Sequence, residues 1–400
     1  MLSRVKILFE NGALGSVAPG ADGVLGLIVT ATTVGTTFEL TKPYVLRRLD
    51  DLAQLGITQD PSDSNAFVYK HVKEFYDEAG EGAELWIMGF PNTLLMSDLA
   101  EQTQDTAKLL IQAANGRLKG IGIAVNPASG YSGVTTNELD ADVMVAAANA
   151  QALAEWATNK LYAPIFVLLE ARGFTGTVAN LPNLQTHEYN RVCLLLGDTV
   201  ENSGGAAIGL LLGRIARIPV QRHIGRVIDG ALKTLKAYIG DAMVEQTDVE
   251  TINDKGFITF RTFTGKAGYY FADDGMSTAI ADDYHSLARR RTIDKAYRIA
   301  YETLVNFVNA EIPITDSGEL VPAMAKSWES EVESSIIAQM TAEGNLGVDT
   351  TNADDNGVVC YINHAQKVVQ NNKIEISLKV KPYGYAKYID VKLGFITINN

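Results

Sequence analysis

The stretch PIFVLLEA, at residues 164–171, begins at a proline and is apolar except for Glu170. A short run of this kind is typical of a β-strand that is buried on both faces. Four similar runs lie elsewhere between residues 23 and 200: GVLGLIVTA at 23–31, ELWIMGF at 84–90, IGIAV at 121–125 and RVCLLLG at 191–197. Helical patterns separate most of these runs. The sequence therefore predicts an N-terminal α/β domain over residues 23–200, with a mostly parallel sheet covered by helices on both faces.

The helices of this domain follow from apolar spacing and from the residues that begin and end helices. Pro43 suits a first helical turn, and Gly56 suits a helix end. We therefore predict a helix from Pro43 to Gly56. Three further helices are predicted, one beginning after Ser62 or Asp63, one at 96–116 and one at 138–158.

Residues 201–385 have a different pattern, which predicts a C-terminal α+β domain. Its expected elements are a small-residue helix at 204–216, a strand pair at 257–263 and 267–272, long helices at 281–310 and 321–342, and strands at 358–362 and 373–381. Residues 1–22 are predicted to be an N-terminal arm. Residues 386–400 are predicted to be a C-terminal strand or arm.

Composition excludes several classes of protein. The 400 residues are 46% hydrophobic, which argues against global disorder, and 34 basic against 47 acidic residues give a net charge of -13. A general nucleic-acid binder would need a basic footprint, so no nucleic-acid partner is expected. Two cysteines are too few for a disulfide framework. The longest apolar stretches fall well short of the roughly 20 residues that span a bilayer, and the N-terminus lacks a signal-peptide pattern, so we expect a soluble protein without membrane insertion.

We found no convincing catalytic, cofactor-binding or metal-binding motif. Gly204, Gly205 and Gly209 stand at a helix start where a phosphate could bind, but the GxGxxG spacing is absent. Close helix packing through glycine is the competing interpretation. The loop DTTNADDNG at 349–357 resembles half of a calcium loop but lacks its closing glutamate. An α/β nucleotide-binding enzyme using Gly204–Gly209 remains an alternative.

The two ends of the chain carry strand-like patterns. In KIEISLKVK, at 373–381, apolar and polar residues alternate as in a half-buried strand, and the last segment repeats that alternation. Residues 373–400 hold five lysines against one glutamate and one aspartate, a local charge of +3. Such terminal strands pair within their own chain or add to the sheet edge of a neighbour. The residues predicted to carry strand exchange are Val5, Ile7, Phe9, Ile389, Val391, Leu393 and Phe395.

A basic cluster, RRRTIDKAYR, occupies residues 289–298 of a predicted helix. Helical spacing places Arg290, Asp294 and Arg298 in one row and Arg291 and Lys295 in the next. The cluster is interpreted either as a solvated helix face or as a contact for an acidic partner.

The order of these segments resembles the sheath subunit of contractile phage tails and related injection machines. The resemblance is clearest over residues 200–400. In detail, the sequence is similar to the shorter sheath-like proteins of phages and prophages from gut Bacteroidetes. Three stretches carry it before the terminal strands: GGAAIGLLLGRIARIPVQRHIGRV at 204–227, INDKGFITFRTFTGKAGYYFADDGMST at 252–278 and RRRTIDKAYRIAYETLVNFVNAEI at 289–312.

The resemblance implies a structural role rather than catalysis. Sheath subunits stack as rings around an inner tube, exchange terminal strands with neighbouring copies, and contract to drive the tube through a target envelope. The implied partners are further copies of the chain, the inner tail tube protein, and baseplate and terminator proteins. The implied location is a virion tail or injection apparatus assembled in the bacterial host cytoplasm. Another virion or baseplate structural protein is a further alternative. The candidate tube-contact residues are Arg289, Arg290, Arg291, Lys295 and Arg298.

Overall fold

A computed structural model of the protein describes residues 21–394. The chain divides into two compact units, unit 1 at Met1–Tyr301 and unit 2 at Glu302–Asn400. Within residues 21–394, no helix combines the length and the apolar composition that crossing a bilayer requires.

The strands of the described residues are numbered in chain order. They are β1 Leu25–Thr30, β2 Pro43–Leu46, β3 Leu85–Phe90, β4 Gly120–Ala124, β5 Thr135–Thr136, β6 Leu139–Asp140, β7 Phe166–Glu170, β8 Glu188–Tyr189, β9 Val192–Leu196, β10 Tyr238–Ile239, β11 Ala242–Met243, β12 Ile258–Phe263, β13 Lys266–Phe271, β14 Ser277–Thr278, β15 Val358–Ile362 and β16 Ile376–Val380.

The α-helices are numbered in the same way, and a π-helical turn at Ile337–Thr341 extends the ninth. They are α1 Asp51–Gln54, α2 Ala66–Ala79, α3 Met96–Ala100, α4 Ala107–Ala113, α5 Asp142–Leu161, α6 Ile208–Arg217, α7 Val249–Asp254, α8 Leu287–Leu304, α9 Pro322–Ile336 and α10 Val368–Asn371.

Unit 1 is built on an eight-stranded sheet in the order β13-β12-β9-β7-β4-β1-β3-β2. The six central strands run parallel, and the edge strands β2 and β13 pair antiparallel with their neighbours. Every residue of β1, β3, β4, β7 and β9 is buried, which explains why these strands are almost entirely apolar. The predicted mostly parallel sheet is confirmed.

Helices cover both faces of this sheet. The missing side chain of Gly122 leaves room for Ile208 and Leu212 of α6, whereas that of Gly26 leaves room for Leu110 of α4. Gly26 is the register partner of Ile121. Because successive residues of a strand face opposite ways, α6 and α4 lie on opposite faces. The layering is therefore the one that the alternation of strands and helices predicts.

Two helix predictions in the first half of the chain are wrong. Pro43 begins the edge strand β2, which pairs with β3, and the helix before Gly56 is reduced to α1. Proline lacks an N–H and suits an edge strand, so its presence did not distinguish the two structures. The helix at 96–116 is broken into α3 and α4, because the carboxylate of Glu101 binds the N–H and hydroxyl of Thr103 locally.

The boundary between the two units differs from the one that the sequence predicts. Strand β12 lies parallel to β9, and β13 pairs with β12, so this hairpin extends the main sheet. The chain consequently divides after Tyr301 rather than near residue 200. The sequence shows both strands, but the pairing of β12 joins residues about sixty positions apart, which no local pattern reports.

Unit 2 has a small core of its own. Its buried apolar cluster contains Leu320, Ala325, Trp328 and Ile362. The ring of Phe307 stacks on Trp328 with 4.6 Å between the ring centroids. Strands β15 and β16 form an antiparallel two-stranded sheet, and α9 packs on β15. The sequence predicts both strands.

Candidate assembly interface

The sheet of unit 2 has one apolar face and one exposed face. On β15, Cys360 and Ile362 are buried, whereas Val359 and Tyr361 are 61% and 55% exposed. The alternation follows from the two-residue period of a strand. The apolar face is thus committed to the core of unit 2, and the other face is available to solvent or to a neighbour.

The outer edge of β15 is closed by two carboxylates of α9. The N–H of Cys360 donates to Glu333 Oε1 at 2.7 Å, and the N–H of Ile362 donates to Glu329 Oε1 at 2.7 Å. Burial opposes ionisation of Glu329, but hydrogen bonds from Lys326 and from the Ile362 N–H outweigh it and lower the pKa of this carboxyl group. The two glutamates are four residues apart and therefore point from the same side of α9.

The other edge of this sheet is formed by β16. In the described part of the chain, β16 has only β15 as a sheet neighbour. An uncovered edge presents backbone N–H and C=O groups to any extended segment that approaches it.

The segment that follows β16 exposes large apolar side chains to solvent. Ile389 is 78%, Val391 77% and Leu393 96% exposed. Of the C-terminal strand or arm predicted at 386–400, the described residues 386–394 form no strand. A strand formed by an alternating segment of this kind has little stability unless a sheet pairs with it and covers its apolar side. Phe395, and the predicted N-terminal strand with Val5, Ile7 and Phe9, lie outside the described residues.

Lys381, directly after β16, ties the chain to the rest of unit 2 before this segment begins. Its N–H donates to the carbonyl of Gly357 at 2.8 Å, and its carbonyl accepts from the N–H of Gly347 at 2.9 Å. Its ammonium lies 2.6 Å from Asp355 Oδ2. Hydrogen bonds from Lys381 and from the N–H groups of Asp349 and Gly357 lower the pKa of Asp355 to about 2. Asp355, in the loop that resembles half of a calcium site, thus bonds to the chain's own donors.

The basic cluster of α8 is largely internal to unit 1. Arg290 is buried and lies 2.9 Å from Asp294, which also pairs with Arg191 at 3.1 Å. Arg291 is buried and donates to the carbonyls of Ile215 and Ile218 at 3.1 and 3.0 Å. It therefore satisfies carbonyl groups at the C-terminal end of α6.

The remaining cations of this cluster have internal contacts or partial burial. Lys295 is buried and lies 2.7 Å from Asp22. Arg298 is half-buried and donates to the carbonyl of Pro164, and Arg289 is also half-buried. The interpretation as a solvated face is wrong for the three buried cations, Arg290, Arg291 and Lys295. Contact with a tube at these five residues stays a prediction.

At the start of α6, where a nucleotide-binding enzyme would hold a phosphate, backbone N–H groups already donate to groups of the chain itself. The N–H of Ala206 donates to Glu170 Oε1 at 3.0 Å, and the N–H of Gly209 donates to His71 Nδ1 at 3.2 Å. A side chain at Gly209 would overlap the backbone carbonyl of His71 on α2. The interpretation of this glycine as a close-packing residue is confirmed.

One group of side chains within residues 21–394 has the composition of a metal site. His223 Nε2 lies 2.9 Å from Asp273 Oδ1 and 3.3 Å from Asp274 Oδ1. The N–H of Gly225 donates to Nδ1 at 3.0 Å, which places the imidazole proton on Nε2. A metal would need the lone pair of Nε2, so this hydrogen bonding suits an internal tie better than a metal ligand.

Sequence reasoning missed the two glutamates that close the β15 edge. Glu329 and Glu333 flank the apolar positions Trp328 and Val332, and four-residue spacing of acids on a helix usually indicates an exposed face. Their role depends on the position of β15, which follows α9 in the chain. The combination of a closed edge, an open edge and an exposed apolar segment defines a candidate interface for assembly.

The fold is similar to that of solved sheath proteins of contractile machines. The anti-feeding prophage helical sheath in its contracted state is 13% identical, with a TM-score of 0.62, and the alignment covers 98% of this chain and 99% of that one. The sheath complex of the extracellular contractile injection system PVC is 12% identical, with a TM-score of 0.57 and coverage of 98% and 97%. The sheath tail protein from Listeria innocua is 9% identical, with a TM-score of 0.53 and coverage of 90% and 92%. The chain therefore has the sheath-protein fold.

Two family models match nearly the whole sequence. DUF2586, N-terminal domain, matches residues 2–275, and DUF2586, C-terminal domain, matches residues 283–399. The protein belongs to the DUF2586 family. Comparison with curated proteins found no match.

Proposed function

We propose that this protein is the structural subunit of a contractile sheath, which polymerises around an inner tube and contracts to drive that tube through a target envelope. The observation that carries the proposal is the full-length likeness to the contracted sheath of the anti-feeding prophage, at 98% coverage of this chain and 99% of that one. Because the match includes both units, it supports the same kind of assembly. A match to one unit alone would support only a shared domain.

The exposed C-terminal segment supplies a physical means of assembly. Burying the side chains of Ile389, Val391 and Leu393 against a neighbour would stabilise a contact by the hydrophobic effect. Strand addition would contribute main-chain hydrogen bonds that depend on the backbone and not on one side chain. Such a link holds two copies together while their folded units rotate, which contraction requires.

The proposed partners are further copies of this chain, an inner tail tube protein, and baseplate and terminator proteins. A chain in the baseplate structure of the anti-feeding prophage is 14% identical with a TM-score of 0.62, which supports a subunit that also contacts a baseplate. The proposed location is a virion tail or injection apparatus, assembled in the bacterial host cytoplasm. We propose neither catalysis nor nucleic-acid binding for this protein.

Electron microscopy of the purified protein tests this function directly. The full chain is expected to form hollow, striated cylinders, alone or with a co-expressed tube protein. A chain lacking residues 386–400 is expected to keep its circular dichroism spectrum and melting temperature, because the deletion leaves β16 intact. It is expected to form no cylinders, because it lacks the exposed C-terminal segment.

A matched pair of substitutions separates apolar burial from charge. Val391→Asp is expected to abolish cylinders, whereas Lys392→Ser, on the adjacent exposed position, is expected to leave them unchanged. Normal cylinders from the deleted chain would contradict assembly through the C-terminal segment. Monomers of the full chain under all conditions, with tube protein present, would contradict the sheath function itself.

A further inference from the structure

A histidine joins two helices of unit 1 through its ring. His71 lies on α2 and is completely buried, and its Nδ1 accepts the N–H of Gly209, in the first turn of α6, at 3.2 Å. A backbone N–H can only donate, so Nδ1 carries no proton and the ring proton lies on Nε2. The imidazole that holds the start of α6 is therefore the neutral form.

The packing around this hydrogen bond is tight. A Cβ atom at Gly209 would lie 2.0 Å from the carbonyl oxygen of His71, so the two backbones are in contact here. The ring of Phe67 packs edge-on against the imidazole, with 4.5 Å between the centroids. Nε2 is buried and has no hydrogen-bond partner within the described part of the chain. A proton added to Nδ1 would face the hydrogen of the Gly209 N–H, and relieving that conflict requires the start of α6 to move away from α2.

The charged groups around the imidazole are engaged with one another. The ammonium of Lys70 lies 2.6 Å from Asp198 Oδ1 and 3.4 Å from Glu74 Oε1. Glu74 Oε1 also accepts the hydroxyl of Thr199, and its Oε2 lies 3.8 Å from the imidazole Nδ1, beyond hydrogen-bond distance. Glu170, at the end of β7, accepts two backbone N–H groups and pairs with an arginine. A protonated imidazole would thus meet the charge of Lys70 without an acceptor at hydrogen-bond distance.

The direction of the pH dependence follows from these surroundings. Burial, and next the charge of Lys70, lower the pKa of His71 well below its usual range. A histidine in the unfolded chain has a pKa of about 6.5, so the stability due to the neutral ring is present above that pH and is lost as the pH falls below it. Burial raises the pKa of Glu74 and of Glu170, so their protonation acts in the opposite direction. A loss of stability in weak acid would therefore not come from these two carboxyl groups.

We propose that His71 is a pH switch between α2 and α6, which holds the first turn of α6 while the imidazole is neutral and releases it when Nδ1 takes up a proton. This inference goes beyond the proposed sheath function and does not depend on it. The release is local, because Ile208 and Leu212 of α6 also pack over Gly122 of the sheet and do not titrate.

Hydrogen–deuterium exchange of the full chain between pH 7.5 and 5.0, corrected for the intrinsic exchange rate at each pH, tests this switch. Peptides that cover 205–213 report the start of α6, and peptides that cover α5 are the control, because 142–161 contain no histidine. We expect protection at 205–213 to fall about tenfold between pH 6.5 and 5.5, since the release takes up one proton, while α5 keeps its protection. Equal losses in both helices would mean unfolding of the whole unit and would overturn a local switch, as would unchanged protection at 205–213.

Substitutions assign the proton to one side chain. His71→Gln keeps an oxygen that can accept the Gly209 N–H but does not titrate, so we expect it to abolish the acid-induced loss of protection. His364→Gln, at an exposed histidine of unit 2, is the matched control and is expected to behave as the unsubstituted chain. Glu74→Gln is expected to keep the acid response, and its loss in this variant would assign the proton to Glu74 and contradict the proposal. If His71→Gln does not fold, the comparison of α6 with α5 in the unsubstituted chain still decides.

Discussion

At the scale of single residues, glycine and buried charge determine how unit 1 packs. A Cβ atom added at Gly213 of α6 would lie only 2.6 Å from the carbonyl oxygen of Phe75 on α2, and the space at Gly209 is tighter still. The backbones of two helices approach this closely only where a side chain is missing. Of the glycines that first suggested a phosphate site, Gly209 is therefore explained by the packing of α6 on α2.

Gly209→Ala gives a sharp test of this packing. In an unconstrained helix, alanine would stabilise by about 1 kcal/mol relative to glycine. Here the added methyl group overlaps the carbonyl of His71, so we expect destabilisation by about 1–3 kcal/mol, measured by urea unfolding. Gly384→Ala is the control, because a Cβ at Gly384 meets no atom within 4 Å. A stabilised Gly209→Ala protein would contradict close packing as the reason for this glycine.

At the scale of elements, α9 protects the strand on which it packs. Its glutamates satisfy two N–H groups of β15 that would otherwise form an adhesive edge. The same helix supplies Ala325 and Trp328 to the core of unit 2. One element therefore both builds the core and binds the outward N–H groups of one sheet edge.

Replacing Glu329 and Glu333 of α9 separates hydrogen bonding from charge. Glu329→Ala with Glu333→Ala leaves the N–H groups of Cys360 and Ile362 without their acceptors, at a cost of about 1–3 kcal/mol for each buried group. Glu329→Gln with Glu333→Gln keeps an oxygen acceptor at each position and is expected to lose much less stability. Thermal unfolding of the two double variants compares them. Equal melting temperatures would mean that these hydrogen bonds do not hold the edge.

At the scale of the whole molecule, two groups of basic residues have opposite environments, one buried in unit 1 and the other exposed at the C-terminal end of unit 2. Arg290, Arg291 and Lys295 are buried in unit 1, whereas the lysines at 379, 381, 387 and 392 are exposed. The basic helix therefore contributes internal ion pairs and caps. The four lysines, by contrast, are exposed on the strand and segment that we assign to assembly.

Charge reversal at Arg290 tests whether this helix is structural. Arg290→Glu places a second acid beside Asp294, and disrupting a buried ion pair typically costs about 3–5 kcal/mol, so we expect a large fall in melting temperature. Lys266→Glu reverses an exposed charge of the same unit and is expected to change stability by about 0.5 kcal/mol or less. An Arg290→Glu protein that keeps its melting temperature but no longer co-assembles with tube would instead support the predicted tube contact.

The sequence by itself determined the elements whose patterns are local. The apolar runs at β1, β3, β4, β7 and β9 predict buried parallel strands because each strand is covered on both faces by helices nearby in the chain. The alternation at 373–381 predicts β16, whereas the similar alternation of the last segment forms no strand within residues 386–394. The resemblance to sheath proteins was based on the order of segments along the chain, and the fold agrees with it.

Only the tertiary structure decided what depends on residues far apart in sequence. The addition of β12 to β9 moved the unit boundary to Tyr301, and the approach of α2 to α6 gave Gly209 its role. The burial of Arg290 and the closing of β15 by Glu329 likewise require partners that no local pattern identifies. A basic or acidic helix row looks the same in sequence whether it faces water or a buried partner, because burial is a property of the packed molecule.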